Sequence, residues 1–398
     1  MVSHVAPVPA TAGQNQRVRY TLEALRRHFE VTFVTPEAVH EGAPDFGELV
    51  DRLVTVPSPP GGSVSRRIRA LGDTAYAAVT GLKRSNRQID RMLAPDAVAS
   101  VLDPADFDLA FFHYWHAQGV VGAFKDAGVP CVLDMHDALW RARGSQLREA
   151  GAPAFWASRQ ERHYRRREEA AWERYDGVVA INAAEADEAR AVVGDRPVWY
   201  APMGVPLERW SVETNLASPP RVAYYGGLGS RARELAVLRC ANDIMPSVWA
   251  QVPDAELWVV GSNPTEPVRR LAEQDRRITV TGFVDDPAEL LATMAAVLCP
   301  FVGRFGFRSR LIEVLACGVP IVATPDAIHG MGLDVDPGLL LGEDDDQLAA
   351  ACVTVLQDPD TTVRAGAARR QADRFDFEGT YGRLAEALRS FVSEHGHR

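Results

Sequence analysis

The stretch from Val297 to Thr324, VLCPFVGRFGFRSRLIEVLACGVPIVAT, constrains the possible folds of this chain more than any other. It begins with a short apolar run that ends at Pro300, as expected for a buried strand. Gly303 and Gly306 then predict a turn whose backbone a ligand can approach closely, because glycine has no side chain. A helical pattern and a second apolar run follow. The stretch therefore predicts a strand–turn–helix–strand unit of an α/β protein.

Two arginines stand at the beginning of the predicted helix, which covers residues 307–316. The N-terminus of a helix has free N–H groups and a partial positive charge, and both attract anions. Arg308 and Arg310 add guanidinium groups where the helix dipole favours acids, and a bound diphosphate explains that arrangement. We therefore predict that Arg308 and Arg310 bind a diphosphate and that Gly306 and Phe307 belong to the same binding site. The alternative is a surface helix with two solvated arginines.

The same residues resemble a known family. The run of Gly306, Arg308, Arg310, Ile312 and Glu313, continued by A-x-G-x-P-I-V, resembles the nucleotide-sugar signature of retaining, family-4-type (group 1) glycosyltransferases. The resemblance implies an α/β protein of the GT-B fold and a nucleoside-diphosphate sugar as donor. It also implies that Glu313 accepts hydrogen bonds from the donor ribose. Many members have a further glutamate at the position of Phe305, so the hydrogen bond of that acid to the donor sugar must come from another group or be absent.

Length and composition limit the class of protein. A chain of 398 residues suits two domains of roughly 200 residues each. No apolar run approaches the roughly 20 residues of a membrane helix, and the N-terminus lacks a signal-peptide pattern. Five scattered cysteines are expected to be reduced and buried, which favours a cytoplasmic protein. The net charge of −10 argues against nucleic acid as the main partner.

The N-terminus predicts a β-α-β unit, with strands at residues 1–5 and 31–34 and a helix at residues 16–29. The loop after the first strand lies at the sheet edge where open α/β proteins bind ligands. Its S-H-x-x-P-x-P…G…R pattern, from Ser3 to Arg17, resembles the opening of the same glycosyltransferases, whose loop faces the donor sugar and the acceptor. The resemblance implies a donor-binding role for Gly13.

Two other predicted strands end in segments that contain histidine. Residues 109–112 continue into H-Y-W-H, and residues 129–133 continue into D-M-H-D. The ends of parallel strands meet at one edge of a sheet, so we expect these side chains to converge, although a lone histidine is about as often structural. Both segments resemble the corresponding strand ends of the family. The resemblance implies that His113 contacts the donor sugar near the reacting carbon and is catalytic, and that His136 and Asp137 lie on the acceptor side.

The α/β pattern starts again after residue 205. Residues 221–225 are a predicted strand, followed by the turn Gly226-Gly227-Leu228-Gly229 and a helix at about residues 233–248. A glycine-rich turn before a helix offers backbone N–H groups to phosphate, so Gly227 is a predicted donor-binding residue. The family usually has an arginine and a lysine here. Arg231 and Arg233 are the nearest basic residues, and we assign both to the predicted donor site.

The resemblance also implies the domain organisation. The P-x-G-V segment that ends at Val205 resembles the interdomain crossing of the family. We therefore predict an acceptor-side Rossmann-like domain at residues 1–205 and a nucleotide-sugar-binding Rossmann-like domain at residues 206–376, facing each other across a cleft. Residues 377–398 are predicted to form a helix that packs on the first domain. Residues 278–285 resemble the loop that meets the nucleobase.

Two charged regions have no assigned chemistry. Residues 57–95 combine basic and apolar residues at helical spacing, which predicts amphipathic helices with a basic face. A solvated face is the common explanation, and a surface for the acceptor or for a membrane is the alternative. Residues 154–175 predict a helix whose arginines and glutamates can pair at i,i+4 spacing, so a solvated surface is expected there.

The expected reaction moves a sugar from a UDP- or GDP-linked donor to a small natural product or a growing polysaccharide. The resemblance implies retention of configuration, front-face attack, and proton transfer from the acceptor to the leaving phosphate. Because arginines and glycine-rich turns can stabilise the diphosphate, we expect no metal and no cofactor besides the donor co-substrate. The acidic pairs Asp106/Asp108 and Asp334/Asp336 are interpreted as chance in an acidic chain.

Two alternatives stay open. A GT-B protein that binds nucleotides in a regulatory role, without activity, would agree with the acid missing at Phe305. A sugar-nucleotide epimerase of the same architecture would need acids near the anomeric carbon and agrees less well with the arginine pattern. Nothing in the sequence indicates a particular oligomeric state or a transmembrane segment, and it leaves open a peripheral membrane contact.

Overall fold

The computed structural model describes residues 1–10, 12–58, 63–80, 82–304, 306–358 and 360–395. The chain divides into two compact units. Unit 1 consists of Met1–Met203 and Thr380–Arg398, and unit 2 consists of Gly204–Gly379. The sequence placed the two junctions at residues 205 and 376. The structure has them at Met203 and Gly379.

Unit 1 contains a parallel sheet of short strands: β1 Thr32–Pro36, β2 Arg52–Val56, β3 Ala110–His113, β4 Cys131–Asp134, β5 Gly177–Ala180 and β6 Val198–Tyr200. β1 pairs with β2, and β3 to β6 pair in chain order. Val2 bridges to Val34 of β1 and to Phe112 of β3, so it lies between the two groups. The strand expected at residues 1–5 is therefore reduced to single bridges at Val2.

The helices of unit 1 before its C-terminal segment are α1 Gly13–Leu25, α2 Glu37–Glu41, α3 Ser63–Thr80, α4 Arg84–Met92, α5 Pro95–Ala99, α6 Val121–Asp126, α7 Leu139–Glu149, α8 Ala154–Trp172 and α9 Ala183–Val193. Strands and helices contribute to one apolar core, which includes Phe112 of β3 and Trp172 of α8. Asn182 ends the loop before α9, and its side chain accepts hydrogen bonds from the first free N–H groups of that helix.

Unit 2 contains a six-stranded parallel sheet: β7 Arg221–Tyr225, β8 Glu256–Val260, β9 Ile278–Gly282, β10 Ala296–Cys299, β11 Ile321–Ala323 and β12 Leu339–Leu341. The spatial order is β12-β11-β10-β7-β8-β9. Consecutive strands thus extend in one direction from β7 and in the other from β10. Sheets of this kind bind ligands outside the carboxyl ends of the strands at the point where the order reverses, here between β7 and β10.

The helices of unit 2 are α10 Arg231–Arg239, α11 Met245–Trp249, α12 Glu266–Gln274, α13 Pro287–Leu291, α14 Ser309–Ala316, α15 Asp345–Gln357 and α16 Thr361–Ala372. The sequence predicted one continuous helix at residues 233–248. The structure has a π-helical turn, Cys240–Ile244, between α10 and α11. Pro246 accounts for the interruption, because proline has no N–H to donate and its ring clashes with the preceding helical turn.

The C-terminal helix α17, Arg383–His395, belongs to unit 1 as the sequence predicted. Its Phe391 packs edge-on against Trp199 of β6, with the ring centroids 5.3 Å apart. Tyr381, which precedes the helix, packs against Tyr20 of α1 at 5.7 Å. Within the described ranges, no helix has both the length and the hydropathy that crossing a bilayer requires.

Candidate functional site

The predicted site residues of unit 1 lie at the carboxyl ends of β3 and β4. His113 ends β3 and is the strand partner of Asp134, which ends β4. The backbone then turns sharply: Tyr114 and His136 both have positive φ angles, 63° and 59°. Such angles are strained for residues other than glycine and are maintained only by the surrounding structure. They bring the Tyr114 and His136 rings into a stack with centroids 3.9 Å apart.

Hydrogen bonds connect these side chains to one another. His113 Nδ1 lies 2.9 Å from His136 Nε2, so one of the two nitrogens donates to the other. His113 Nδ1 is also 3.5 Å from Asp134 Oδ2. All three side chains are buried, and His113 and Asp134 have no exposed surface. The structure therefore brings His113 and His136 together, as the sequence predicted, but in the interior of unit 1.

Arg17 of α1 is the fourth member of this buried cluster, and like Asp134 it is fully buried. It donates to both carboxylate oxygens of Asp134, at 2.8 and 3.2 Å, and to the backbone oxygen of Ala201 at 2.6 Å. Its guanidinium also lies over the ring of Tyr381, 5.2 Å from the centroid. Arg17 thereby links the strand ends to the segment after β6 and to the residues before α17.

Burial and these neighbours determine the charges of the cluster. Burial lowers the pKa of His113 well below its ordinary value, and it lowers the pKa of His136 to about 4. Burial alone would raise the pKa of Asp134, but the Arg17 guanidinium overrides it and lowers that pKa to about 2. At neutral pH the two imidazoles are therefore neutral, and the Arg17–Asp134 pair is ionised.

Two further histidines extend the cluster, and sequence reasoning did not assign them to the site. The His4 ring lies 5.3 Å from those of Tyr114 and His116. Burial lowers the pKa of His4 to about 4 and that of His116 well below its ordinary value. The sequence offered a signal for each: His4 stands in the S-H-x-x-P motif, and His116 ends the H-Y-W-H segment after a predicted strand.

His113, Asp134 and His136 also form a group whose ligand atoms lie within 4.8 Å of one another, the composition of a metal site. The sequence did not anticipate such a group. Both carboxylate oxygens of Asp134, however, accept hydrogen bonds from Arg17. A divalent ion bound here would have to compete with that buried guanidinium, so the group is better suited to a network of hydrogen bonds.

The remaining predicted residues of unit 1 lie beside this cluster. Asp137 follows His136 directly and is half-buried. Gly13 is the exposed first residue of α1, one helical turn before Arg17. All the residues that the sequence assigned to the site in unit 1 thus lie in the cluster, directly beside it, or at the start of α1.

In unit 2 the glycine-rich turn follows β7 and is hydrogen-bonded to the end of β8 and the residues after it. Gly226 donates from its N–H to Val260 at 3.0 Å, and Leu228 donates to Ser262 at 2.8 Å. Gly226 has a φ angle of 155°, and a Cβ on Gly261 would lie only 1.7 Å from the Gly226 oxygen. The two segments approach so closely that Gly261 cannot carry a side chain. This contact holds the turn in place at the strand end.

The two arginines near this turn differ in their surroundings. Arg231 forms an ion pair with Glu234, one turn further along α10. Arg233 is exposed, and no carboxylate within the described residues pairs with it. A Cβ on Gly227 would lie 3.4 Å from Arg233 Nη1, so its guanidinium stands close to the turn. The structure thus favours Arg233 over Arg231 as the cation for a phosphate at this turn.

Glycines also shape the loop between β10 and α14. Gly303 and Gly306 have φ angles of 105° and 71°, which only glycine adopts without strain. The Gly303 N–H donates to Asp326 Oδ2 at 2.9 Å. Phe305, where the family has an acid, lies outside the described residues. Phe307 is half-buried and packs against Phe375, with the centroids 5.9 Å apart.

Arg308 immediately precedes α14, whose first residue is Ser309, two residues later than predicted. Its guanidinium donates to the backbone oxygens of Ala327 at 3.0 Å and Gly303 at 3.4 Å. It also lies over the Phe301 ring, 4.9 Å from the centroid. Arg308 therefore joins the loops after β10 and β11, so its positive charge stands among the loops that follow two strand ends.

Tyr225, Arg310 and Glu313 form a second cluster, between the end of β7 and the start of α14. Arg310 Nη1 donates to Glu313 at 2.7 and 2.9 Å, and the Tyr225 hydroxyl donates to Glu313 Oε2 at 2.8 Å. Glu313 is only 1% exposed, whereas the Arg310 side chain is 32% exposed. Sequence reasoning missed Tyr225, whose only signal was its place at the end of a predicted strand.

Two family models match the chain. One, described as "Glycosyl transferase 4-like domain", matches residues 12–204. The other, described as "Glycosyl transferases group 1", matches residues 219–358. The two matches follow one another along the chain and cover most of both units.

Two curated relatives match over most of their length. The phosphatidyl-myo-inositol mannosyltransferase of Mycolicibacterium smegmatis is 26% identical over 373 residues, which are 91% of this chain and 85% of that protein. The protein of the same name from Mycobacterium tuberculosis is 25% identical over 354 residues, which are 86% of this chain and 82% of that protein.

Solved structures agree with the architecture. The sucrose-phosphate synthase from Thermosynechococcus elongatus superposes with a TM-score of 0.65 at 19% identity, over 99% of this chain and 98% of that one. Anabaena HepE in complex with UDP-glucose gives a TM-score of 0.65 at 16% identity, over 98% of each chain. At such identities the likeness is one of fold.

Proposed function

Because the chain belongs to the group 1, family-4-type glycosyltransferases of the GT-B fold, which use nucleotide sugars, we propose that it is a retaining transferase that requires no metal. The observation that carries the proposal is the arrangement of unit 2. Its glycine-rich turn and its arginines lie at the ends of β7 and β10, where the strand order reverses. This is the place where such sheets bind nucleotides.

We propose that the donor diphosphate binds at the turn of Gly227 with Arg233, near Gly306, Phe307, Arg308 and Arg310. Backbone N–H groups of the turn and the positive end of α14 attract phosphate, and the guanidiniums add charge. Glu313 accepts hydrogen bonds from the ribose in this proposal. Among the described residues its Oε1 accepts only from Arg310, and a carboxylate oxygen can accept a second hydrogen bond.

UDP and GDP are the two proposed carriers of the sugar. Structural neighbours of this chain hold UDP or UDP-glucose, and its curated relatives are named mannosyltransferases that act on phosphatidyl-myo-inositol. The names of the neighbours support a UDP-linked donor, and the name of the relatives supports an acceptor with a free hydroxyl group. Phe283, 63% exposed just after β9, lies in the segment proposed to meet the base, where an aromatic ring offers a stacking surface.

The proposed reaction breaks the bond between the anomeric carbon and the β-phosphate oxygen and forms a bond from that carbon to the acceptor oxygen on the same face. The acceptor proton passes to the departing phosphate. Negative charge grows on the diphosphate as the bond lengthens, so fixed cations lower the barrier. Arg233, Arg308 and Arg310 supply that charge in the proposal and make a metal unnecessary.

The histidine cluster of unit 1 is proposed to serve the sugar and the acceptor. We propose His113 as the catalytic residue, His136 and Asp137 as acceptor-side residues, and Gly13 as a donor contact at the start of α1. Because His113 has no exposed surface, a direct contact with a sugar requires the covering strand ends to move. His136, 3% exposed and hydrogen-bonded to His113, can transmit an effect without such movement.

Release of nucleoside diphosphate tests the proposal. The purified chain is incubated with UDP-glucose or GDP-mannose, with and without hydroxyl-bearing acceptors, in buffer with EDTA and in buffer with magnesium or manganese. Acceptor-dependent release that survives EDTA supports a metal-independent transferase, and NMR of the product reports the anomeric configuration. Activity that vanishes with EDTA and returns with magnesium contradicts metal independence.

The same assay separates the alternatives. Nucleotide binding without turnover for any donor and acceptor would favour a regulatory protein. Conversion of one nucleotide sugar into its epimer without an acceptor would favour an epimerase. Nucleotide binding itself is measured by thermal shift, because a ligand that binds only the folded state raises the melting temperature.

We also propose a cytoplasmic location. All five cysteines are free and buried, and they lie among apolar side chains of the two units. Unpaired thiols are typical of a reducing compartment.

A further inference from the structure

The helix α8 combines a buried face with an unusual exposed one. Its buried residues, among them Tyr164, Ala171 and Trp172, attach it to the core of unit 1. On the opposite side, positions 155, 159, 162 and 166 follow the spacing i, i+4, i+7 and i+11. At 3.6 residues per turn these four side chains lie within about 60° of one another and extend over about 16 Å of helix. We call this surface the α8 stripe.

The α8 stripe is aromatic at one end and cationic along the rest. Phe155 is 77% exposed, and its neighbour Trp156 is 39% exposed. Arg159, Arg162 and Arg166 follow on the same face and are exposed. The sequence led us to expect i,i+4 ion pairs along this helix, but among the described residues only Arg165–Glu169 forms one within it. The three arginines of the stripe have no carboxylate partner there.

From this arrangement we propose that the α8 stripe docks the protein on an anionic phospholipid surface. Exposed guanidiniums bind headgroup phosphates, and each basic residue near an anionic membrane adds to the attraction. Phenylalanine and tryptophan are side chains that enter the boundary between headgroups and acyl chains. The chain as a whole carries a net charge of −10, so a negative surface repels most of it and attracts this stripe locally.

The aromatic end decides between a membrane and other anionic partners. A soluble polyanion offers phosphates or carboxylates but no apolar phase for Phe155 and Trp156, which would remain hydrated. A protein partner needs a contiguous, complementary area, whereas this stripe is one helix wide and mostly charged. A membrane binds both kinds of side chain at once, because its anionic headgroups contact the arginines and its apolar interior accepts the aromatic rings.

The sequence suggested another membrane surface at residues 57–95. In the structure, ion pairs with a buried acid occupy part of its positive charge. Asp73 is buried, and it accepts from Arg91 at 2.8 Å and lies 3.8 Å from Arg87. Two of the basic residues of that region therefore turn toward an internal acid. We therefore place the contact on α8, whose three stripe arginines pair with no carboxylate among the described residues.

Flotation with lipid vesicles tests the proposal on the full chain, without a donor, so its result is independent of the transfer reaction. Vesicles of phosphatidylcholine alone are compared with vesicles that also contain phosphatidylglycerol. We expect binding only to the anionic vesicles, weakened by salt. The triple variant Arg159→Gln, Arg162→Gln, Arg166→Gln should bind roughly 100-fold more weakly, at about tenfold for each 1.4 kcal/mol and about 1 kcal/mol for each arginine.

A matched control removes the same number of charges elsewhere. Arg167→Gln, Arg383→Gln, Arg389→Gln changes three exposed arginines outside the stripe and should bind within a few-fold of the original chain. Phe155→Ser should weaken binding by roughly tenfold while the melting temperature stays constant. Brominated lipids should quench the fluorescence of the original chain, and Trp156→Phe should abolish most of that quenching.

Three outcomes would overturn the proposal. One is no binding to anionic vesicles. Another is an equal loss in the two triple variants, which would show that only overall charge matters. The last is tight binding to soluble polyphosphate that Phe155→Ser leaves unchanged, which would assign the stripe to an anionic polymer.

Discussion

The two units place different chemistry at the same position of similar sheets. In unit 1 the strand ends carry His113, Asp134 and His136, which are buried and hydrogen-bonded to one another. In unit 2 the strand ends carry glycine-rich turns and arginines, among which Arg233 is exposed. Parallel strands thus present neutral imidazoles around one buried ion pair in unit 1, and accessible positive charge beside glycine-rich turns in unit 2.

This difference indicates that the two units have different tasks in the proposed reaction. Accessible cations and close backbone approach suit the binding of a diphosphate, whose charge is fixed. A closed network of neutral histidines suits the precise placement of hydrogen bonds and makes a weak anion site. The comparison therefore predicts that changes in unit 1 mainly affect stability and rate, while changes in unit 2 mainly affect donor affinity.

The largest effect is expected from breaking the buried ion pair of unit 1. Arg17→Met leaves the Asp134 carboxylate buried without its cation, which should lower the free energy of unfolding by about 3–5 kcal/mol. Arg231→Met, in unit 2, removes a partner whose side chain is 59% exposed and should cost at most about 1 kcal/mol. Urea unfolding of both variants measures the difference. Equal losses would show that the burial of Arg17 has no energetic consequence.

An effect of comparable size is a loss of stability at mildly acidic pH that originates in unit 1. The folded pKa of His4 and of His136 is about 4, against an ordinary value of 6.5. The unfolded chain therefore binds protons that the folded chain does not, so stability is complete above about pH 6.5 and falls as the pH drops toward about 4. The loss is about 1.4 kcal/mol for each unit of pKa difference. Urea midpoints across this range measure it, and His136→Asn should flatten the curve.

The arrangement of parallel strands was predictable because it depends on local patterns. Apolar runs closed by glycine or proline located β7 at Arg221–Tyr225 and placed β10 and β11 on either side of α14. The GT-B fold predicted from the resemblance is confirmed. Helix ends were less accurate, since α1 begins at Gly13 and α14 at Ser309. The ends depend on loop contacts that a periodic pattern does not contain.

The contacts within the candidate site were not predictable in the same way. The bond from Arg17 to Asp134 joins residues 117 positions apart, and no spacing rule connects them. The different environments of Arg231 and Arg233 were not predictable either, because the sequence does not show which of the two side chains reaches Glu234. The interruption at Cys240–Ile244 could have been read from Pro246, which the apolar pattern around it concealed.

A smaller effect is expected from the accessible cation of unit 2. Arg233→Ala should weaken the binding of a nucleoside diphosphate by about 1.5–3 kcal/mol, the contribution of a hydrogen bond to a charged group, and leave the melting temperature constant. Arg231→Ala is the control, since that arginine already has Glu234 as partner. Arg308→Ala and Arg310→Ala should lower affinity and stability together, because both side chains also hold the protein. Calorimetric titration would contradict the division if Arg231 mattered more than Arg233.

A comparable or smaller effect on the rate should follow from His113→Ala. Turnover should fall about tenfold to hundredfold, equivalent to about 1.4–2.8 kcal/mol of transition-state stabilisation, while donor affinity changes little. A merely structural histidine would lower melting temperature and turnover together, and His113→Asn would then restore both. If a variant of unchanged stability keeps the original turnover, His113 has no part in the reaction.

The smallest effect should come from Tyr225, which tests whether the second cluster of unit 2 serves the donor or only the fold. Tyr225→Phe removes the hydrogen bond to Glu313, of length 2.8 Å, and the one that the hydroxyl accepts from Arg310 at 3.1 Å. It leaves the two hydrogen bonds from Arg310 to Glu313. We expect a loss of stability of about 0.5–1.5 kcal/mol and a smaller loss of donor affinity, because the carboxylate keeps its charge and its remaining partner.

Glu313→Gln is the matched comparison. It removes the charge, so it should weaken the binding of UDP or GDP more than the binding of inorganic diphosphate, which has no ribose. An equal loss for all three ligands would mean that Glu313 positions Arg310 and does not touch the nucleoside. If Glu313→Gln leaves the affinity unchanged and both variants are less stable, the cluster of Tyr225, Arg310 and Glu313 only stabilises the contact between β7 and α14.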